Sequence, residues 1–427
     1  MLERVRRHGL LWVGFLLAGV VGLPVTTPVP AASASAPLPP GQDPFYTYAG
    51  SAPLASIPPG TVLDHRAVEL SLGTTTVPVQ AEQLLYRTTS QLGEPIVTVT
   101  TVLTPAPVAV PVPPRIVEYL SFYDGLGAQC DPSYTLAGGD PGAANQQEAD
   151  EEELLVSWYL SQGDIVTVPD FEGEGLHWMA GRESGYGALD AVRATESFLD
   201  VAPATGVGLS GYSGGAVASD WASELAPAYA PELNLVGVAE GGIPVNDAHL
   251  FAYVDGTVTY SAAIPGILIG LSRAYGWDLA KVDTYLSSYG QMVAQQEDQV
   301  CIGSVFGNYP GLTIKAIMKP PYQDLLHVPV FTAMLGDQTM GTASTHPAEP
   351  LFMAVGNADG TGDGAMVAAD VESLARHYCH EGVPVEFQEY QGASHEDAGA
   401  LFEPQTGPFL QARLAGAPYL SNCASLG

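Results

Sequence analysis

The 427-residue chain carries 46 Asp and Glu against 14 Lys and Arg, a formal charge of −32 at pH 7. Such a balance excludes nucleic acid as a partner, since phosphate binding needs clustered Lys and Arg, and repels anionic lipid, so an interfacial substrate is expected to be an uncharged ester. The length exceeds one average domain but suits a single α/β sheet carrying an inserted cap.

The chain begins with Arg4, Arg6 and Arg7, an uncharged apolar stretch from Gly9 to Leu23, and the small residues of PVPAASASA. That order reads as an export signal over residues 1–36, cleaved near residues 32–36. About 15 apolar residues fall short of the roughly 20 that span a bilayer. No later segment is apolar for long enough, so the mature chain, with 11 basic against 45 acidic residues, is expected to be extracellular, free of membrane insertion and monomeric. Cys130, Cys301, Cys379 and Cys423 are widely spaced and even in number, with no CxxC or His-x-His pattern. In an oxidising compartment they favour two disulfides over a metal site.

Residues 37–60, rich in Pro, Ala and Ser, read as a surface arm. A first part of the core is read over 61–244, a helical cap over 245–327 and the second part of the core over 328–427. PAPVAVPVPPR, residues 105–115, links two β-rich stretches. Beyond it RIVEYLSFYDG reads as a strand, QQEADEEELLVSWYLSQG as a helix, DIVTVPDF as a strand and GALDAVRATESFLD as a helix. TGVGLS then reads as a strand, Gly214 to about Leu225 as a helix and NLVGVAEGG as a strand. This alternation makes parallel βαβ units and an α/β fold. The acidic run Asp150 to Glu153 reads as the solvated start of its helix rather than as a calcium site.

The alternation breaks from about Val245 to His327, where AAIPGILIGLSRAYGWDLAKVDTYLSSYGQMVAQQ is helix-like. Afterwards HVPVFTAMLGD and EPLFMAVGNAD read as strands, VAADVESLARHYCHEG as a helix and PVEFQEYQGASH as a strand.

Gly211-x-Ser213-x-Gly215 says little by itself. Here it stands between a buried strand and a helix, with glycines where a strained turn tolerates no Cβ, and that setting makes Ser213 the candidate nucleophile. A serine needs a base and an acid, which on this fold follow in the order Ser, acid, His. His377, His380 and His395 lie beyond the plausible acids. The first two fall in the helix around Cys379, whereas His395 sits in a turn after a strand and is the candidate base. For the acid the residues leave Asp337, Asp359 and Asp363 unranked.

SFYDGLGAQCDPSY, VTVPDFEGEG, GYSGGAVASDWASELAPAYAPELNLVGVAEGGIP and the closing YC and GASH motifs resemble the secretory lipase family of fungi and actinobacteria, typified by Candida antarctica lipase A. The likeness spans roughly residues 43 to 400. It implies an α/β-hydrolase fold with a mostly parallel central sheet and an inserted helical cap. It further implies hydrolysis of carboxylic esters, notably triacylglycerols, without a cofactor, with Ser213 as nucleophile and His395 as base. The family's acid stands in a G-x-x-D-x-x-V-P turn. Asp359 keeps the G-x-x-D part, whereas Asp363 better keeps the distance to Cys379 and His395, so Asp363 is the expected acid and Asp359 the second choice. The resemblance also places an oxyanion hole at the backbone N–H groups of Asp124 and Gly214, against an ordinary Asx turn at Asp124.

The expected disulfides are Cys130–Cys301, tying the cap to the loop of Asp124, and Cys379–Cys423, closing a loop that contains His395. Only 32 residues follow His395, fewer than in fungal members, whose longer extension folds over the site, so gating by such a flap is not expected. The leading reading is a secreted serine ester hydrolase, its acyl channel supplied by IPGILIGL and VFGNYPGLTIKAIMKPPY. The alternatives are a serine peptidase or acyltransferase on the same fold, or a catalytically inactive secreted lipid-binding protein.

Overall fold

A computed structural model of the chain describes residues 37–426 apart from 73–74, 106–112 and 141–142. The export segment read over 1–36 and most of the Pro-rich link at 105–115 lie outside the described residues. Among the described residues nine strands form one sheet in the order β1-β2-β3-β5-β4-β6-β7-β8-β9. The strands are β1 (Val62–Leu72), β2 (Thr75–Thr89), β3 (Pro95–Thr104), β4 (Arg115–Leu120), β5 (Ile165–Pro169), β6 (Gly206–Tyr212), β7 (Asn234–Gly241), β8 (Leu351–Asn357) and β9 (Val385–Gln391). The first three are antiparallel hairpin strands, and β3 also runs antiparallel to β5. From β5 to β9 every pairing is parallel.

Parallel strands buried on both faces carry apolar residues at consecutive positions. In β4, Ile116 and Leu120 join the core on one face of the sheet, while Val117 and Tyr119 join the core on the other. Helices α1 (Ala144–Ser161) and α9 (His395–Leu414) cover the second face: Tyr159 and Leu410 belong to its core, and the Tyr159 and Thr406 hydroxyls bond at 2.9 Å. Helices α2 (Gly181–Leu199), α3 (Gly214–Tyr229) and α8 (Ala368–His380) cover the first, where Tyr378 of α8 donates to Asp220 of α3 at 2.8 Å.

Between β7 and β8 the chain leaves the sheet and forms α4 (Asp247–Val254), α5 (Ala263–Ala274), α6 (Ser288–Glu297) and α7 (Pro329–Gly336), with short turns between them. HVPVFTAMLGD therefore contains a helix, α7, and not the strand read from its apolar run. Pro329 occupies the first helical turn, where its missing N–H costs nothing, and the buried residues Phe331, Met334 and Leu335 recur at helical spacing. A second correction concerns the acidic run. Asp150 to Glu153 lie in the interior of α1, and Glu152 and Glu153 are buried rather than solvated. Glu152 accepts from the Tyr119 hydroxyl at 3.1 Å, the Ser121 hydroxyl at 2.5 Å and the Phe122 N–H at 3.1 Å. It braces the segment that leads into Asp124.

Both disulfides are formed as paired above, Cys130–Cys301 and Cys379–Cys423, each with 5.5 Å between Cα atoms. No helix among the described residues is long and apolar enough to cross a membrane.

The interior holds carboxyl groups with few cations to pair them. Burial pushes Glu152, Glu153 and Glu297 up to about 8, and burial with the Asp190 charge raises Glu118 well above the usual range. These groups keep protons in the fold that they release in the unfolded chain. Their contribution is fully present below the unfolded carboxylate range and is lost as pH rises through the raised values. Calorimetry should find the melting temperature falling by roughly 5 °C or more between pH 5 and pH 8, where a flat or rising value would contradict this account.

Candidate active site

Ser213 occupies the tight turn between β6 and α3 with φ 54° and ψ −116°. Such a backbone conformation is rare for a residue with a Cβ and costs about 1–3 kcal/mol. The surroundings hold it there. The Ser213 N–H donates to the Gly241 carbonyl at 2.9 Å, and the Ser213 carbonyl accepts from Ala216 N–H at 2.9 Å. A Cβ at Gly211 would strike the Gly215 carbonyl, and one at Gly215 would strike the Leu120 carbonyl. The two glycines of the pattern are therefore required by close backbone approach.

His395 reaches this turn because α9 runs back along the strands. At Gly208 and Gly237 an added Cβ would meet Leu410 and Arg413, and at Gly241 it would meet Phe402. These gaps let α9 lie against the sheet and place its first residue, His395, beside Ser213. Capping of α9 by the Ser394 hydroxyl and a 2.5 Å bond from the Tyr212 hydroxyl to the His395 carbonyl fix the histidine's backbone.

His395 Nε2 lies 2.9 Å from Ser213 Oγ, and His395 Nδ1 lies 2.9 Å from Asp363 Oδ2. The other oxygen of Asp363 accepts from the N–H groups of Ala365 at 2.9 Å and Met366 at 2.6 Å. The His395 N–H donates to the Asp363 carbonyl at 3.0 Å, so backbone and side chain of the two residues are joined. Burial opposes charge on the His395 ring, but the Asp363 carboxylate and its hydrogen bond outweigh it, and the ring's affinity for a proton rises above its ordinary 6.5.

Asp359 is elsewhere. Its carboxylate is exposed and accepts from Thr361 N–H at 2.7 Å, Gly362 N–H at 3.0 Å and the Tyr253 hydroxyl at 3.0 Å, and the backbone donors depress its pKa. It shapes the loop that presents Asp363. Asp337, at the end of α7, pairs with Arg182 at 2.7 Å, and His377 is exposed on α8.

Asp124 follows β4 on a loop buried against α3, where a Cβ at Gly214 would collide with its carboxyl oxygens. Among the described residues no acceptor takes the backbone N–H of Asp124 or of Gly214. Reading the sequence did not single out Glu172, Tyr212, Tyr260 or Trp178, which shape this site. Glu172 stands against Asp124, and Trp178 lines the pocket.

The space above Ser213 is small, about 40 Å³, and apolar: Trp178, Met179, Leu250, Ile267, Ile302 and Phe306 form its walls. Ile267 comes from IPGILIGL and Phe306 from VFGNYPGLTIKAIMKPPY, the two stretches expected to supply a channel. The Tyr260 hydroxyl bonds Glu396, and its ring stands edge-on to His395 with centroids 6.1 Å apart. A larger cavity of about 480 Å³ lies under the N-terminal arm at Asp131 and Asp170 and includes none of the residues around Ser213. Among the described residues no cluster of three or more His, Cys, Asp or Glu is arranged to hold a metal.

A profile of the secretory lipase family matches residues 142–422. The chain is 33% identical over 389 residues to the probable inactive lipase MT1628 of Mycobacterium tuberculosis, covering 90% of this chain and 84% of that protein. It is 32% identical over 374 residues to the secreted triacylglycerol lipase LIP1 of Malassezia furfur, covering 86% and 73%. Its fold superposes on the X-ray structure of Candida antarctica lipase A in its closed state with a TM-score of 0.82 at 28% identity, covering 91% of this chain and 89% of that one.

An acid that holds His395 in the right tautomer and stabilises its charged form is worth roughly 10⁴ in turnover. Asp363→Asn should therefore cut turnover of a short-chain p-nitrophenyl ester by several powers of ten, while Asp359→Asn should stay within about tenfold of wild type. The reverse ranking would transfer the acid's role to Asp359.

Proposed function

The chain belongs to the secretory lipase family, and from that premise we propose that it is an exported serine ester hydrolase, cleaving carboxylic esters such as triacylglycerols through an acyl-enzyme on Ser213. The observation that carries the reading is the unbroken line of contacts from Ser213 Oγ through both nitrogens of His395 to Asp363, at 2.9 Å each.

In the proposed cycle, His395 Nε2 takes the hydroxyl proton as Ser213 Oγ forms a bond to the ester carbonyl carbon. The carbonyl oxygen, now negative, accepts from the N–H groups of Gly214 and Asp124. Two fixed donors aimed at a developing charge are worth several kcal/mol in a site that excludes water, roughly 3 for each. The intermediate collapses as the carbon–oxygen bond to the alcohol breaks, and His395 returns its proton to the leaving oxygen. A water then attacks the acyl-enzyme with His395 again as base, which releases the acid and restores Ser213. Asp363 keeps Nδ1 protonated and offsets the imidazolium charge in both halves.

The apolar walls of Trp178, Met179, Leu250, Ile267, Ile302 and Phe306 favour an uncharged acyl chain over a peptide. The second reading, an inactive lipid-binding protein, is favoured by one observation: the Mycobacterium tuberculosis relative is named a probable inactive lipase. What supports activity here is that the three side chains are present and in contact.

A fluorophosphonate probe separates the two. It should label the wild-type chain and fail to label Ser213→Ala, which should also lose ester hydrolysis to below about 1% with the fold unchanged. Labelling of Ser213→Ala, or an unlabelled wild type, would overturn the reading. The same chemistry sets an acid limb. Because His395 must be neutral to accept the proton and Asp363 raises its affinity for one, kcat/KM should fall about tenfold per pH unit below a midpoint above 6.5. A midpoint in the carboxylate range would assign the base elsewhere.

A further inference from the structure

The two loops that leave the carboxyl ends of neighbouring strands β4 and β5 meet beneath the candidate oxyanion hole. Asp124 is on the first and Glu172 on the second, and both are buried. Their carboxyl groups lie within hydrogen-bond reach of each other, a contact between two acceptors unless one keeps a proton. One oxygen of Glu172 accepts from Gly125 N–H at 3.3 Å, and its other oxygen has no donor among the described residues. The rest of the joint is tight. Glu172 N–H donates to the Tyr123 hydroxyl at 2.7 Å, Ile302 N–H donates to the Asp124 carbonyl at 2.9 Å, and Cys130–Cys301 pins the same loop.

Resting on the ester-hydrolase reading, we infer that Asp124 and Glu172 share one proton, and that Glu172 is thereby a positioning residue for the reaction: it holds the Asp124 N–H aimed at the developing oxyanion. Of the groups that face the pair only His395, when protonated, carries positive charge, and its ring is already bonded to Asp363. Around Asp124 stand the Trp178 indole, the Gly214 backbone and His395. Around Glu172 stand Gly125, Tyr123 and Asp131, with Asp170 behind Tyr123 and Asp131. Arg273 reaches the carbonyls of Leu126 and Leu176 on the flanks of the two loops, but it is tied to Asp298, and His177 is turned to Glu183. Burial pushes Asp124 up to about 7 and, with the Asp124 charge beside it, raises Glu172 well above the usual range. When the last proton leaves, two like charges face each other at hydrogen-bond distance, repel, and carry the Asp124 N–H off its aim. They also place negative charge where the transition state develops its own.

The test is kcat against pH on a short-chain ester for wild type, Glu172→Gln, Asp124→Asn and Glu172→Ala. Each amide offers an N–H to the remaining carboxylate without needing a proton. Wild type should lose kcat on the alkaline side, and both amide variants should lack that loss, whatever their level at neutral pH. Glu172→Ala should lower kcat by roughly tenfold to a hundredfold, the scale of a weakened oxyanion donor, with KM within about threefold. At pH 7 the infrared spectrum of wild type minus Glu172→Gln should show a protonated carboxyl band. The inference falls if the amide variants keep the wild-type alkaline loss, if wild type has none, if Glu172→Ala keeps wild-type kcat, or if the band is missing. It falls equally if both amide variants fail to fold, since they satisfy the same bonds. Failure of the hydrolase reading looks different: Ser213→Ala would keep its activity or wild type would have none, and the infrared band would still decide whether the proton is shared.

Discussion

The turn at Ser213 is the constraint around which the other parts are arranged. A residue with a Cβ is held at positive φ at a cost of about 1–3 kcal/mol, and it stays there because β6 and α3 are both anchored on either side of it. The turn lifts Oγ clear of the sheet at the carboxyl ends of the strands. Whatever is to act on that oxygen must come to the same end. His395 comes from 182 residues further along the chain, and it arrives only because α9 can lie flat over β6 and β7. The absent side chains at Gly208, Gly237 and Gly241 decide that, although none of them takes part in chemistry.

A second constraint comes from composition. With so few cations available, buried carboxyl groups are held by hydroxyl and N–H donors or by one another. Asp170 takes two bonds from Ser133, Glu152 takes bonds from Tyr119 and Ser121, and Asp220 and Glu224 take theirs from Tyr378. Each of these bonds joins segments distant in sequence, and several lead into the loop of Asp124. The surplus of acid that makes the exterior repel anions thus reappears inside as a dependence on retained protons. A buried carboxyl that keeps its proton avoids the large cost of an unpaired charge and becomes a donor as well as an acceptor.

The parallel half of the sheet was legible because strands buried on both faces read as short apolar runs between helices. Ser213 and His395 were legible because the pattern around each has a local backbone reason. Where the reading went wrong, one signal in the sequence was overlooked and elsewhere a partner was out of view. HVPVFTAMLGD looked like one more apolar strand, yet Phe331, Met334 and Leu335 already carried helical spacing behind a helix-starting proline. The run from Asp150 to Glu153 looked solvated because charge in sequence usually is, and nothing near it announces Tyr119 and Ser121. Glu172 lay within VTVPDFEGEG but had no meaning until β4 and β5 were known to be neighbours. Choosing between Asp359 and Asp363 needed the loop itself: one carboxylate turns out to cap Thr361 and Gly362, and the other turns in toward His395.

The narrow space over Ser213 bears on how a substrate enters. About 40 Å³ accommodates a few waters and no acyl chain. Something must move, and the ties between cap and core are unequal. On the side of Asp124, Cys130–Cys301 is covalent, and Ile302 and Leu126 add backbone bonds across the same junction. On the side of His395, the cap is held by side-chain bonds alone, Tyr260 to Glu396, Tyr253 to Asp359 and to Gly364 N–H, and His249 to Asp370, with Phe306 packed edge-on against Tyr260. Such bonds break and reform far more readily than a disulfide. On the proposed ester-hydrolase reading, an opening by way of Tyr260 and Phe306 would admit an apolar chain along Ile267 and Leu250 while leaving the Asp124 N–H where it stands. On that reading, the donors proposed for the oxyanion are pinned by the disulfide, and the wall that would yield for entry is held by side-chain bonds.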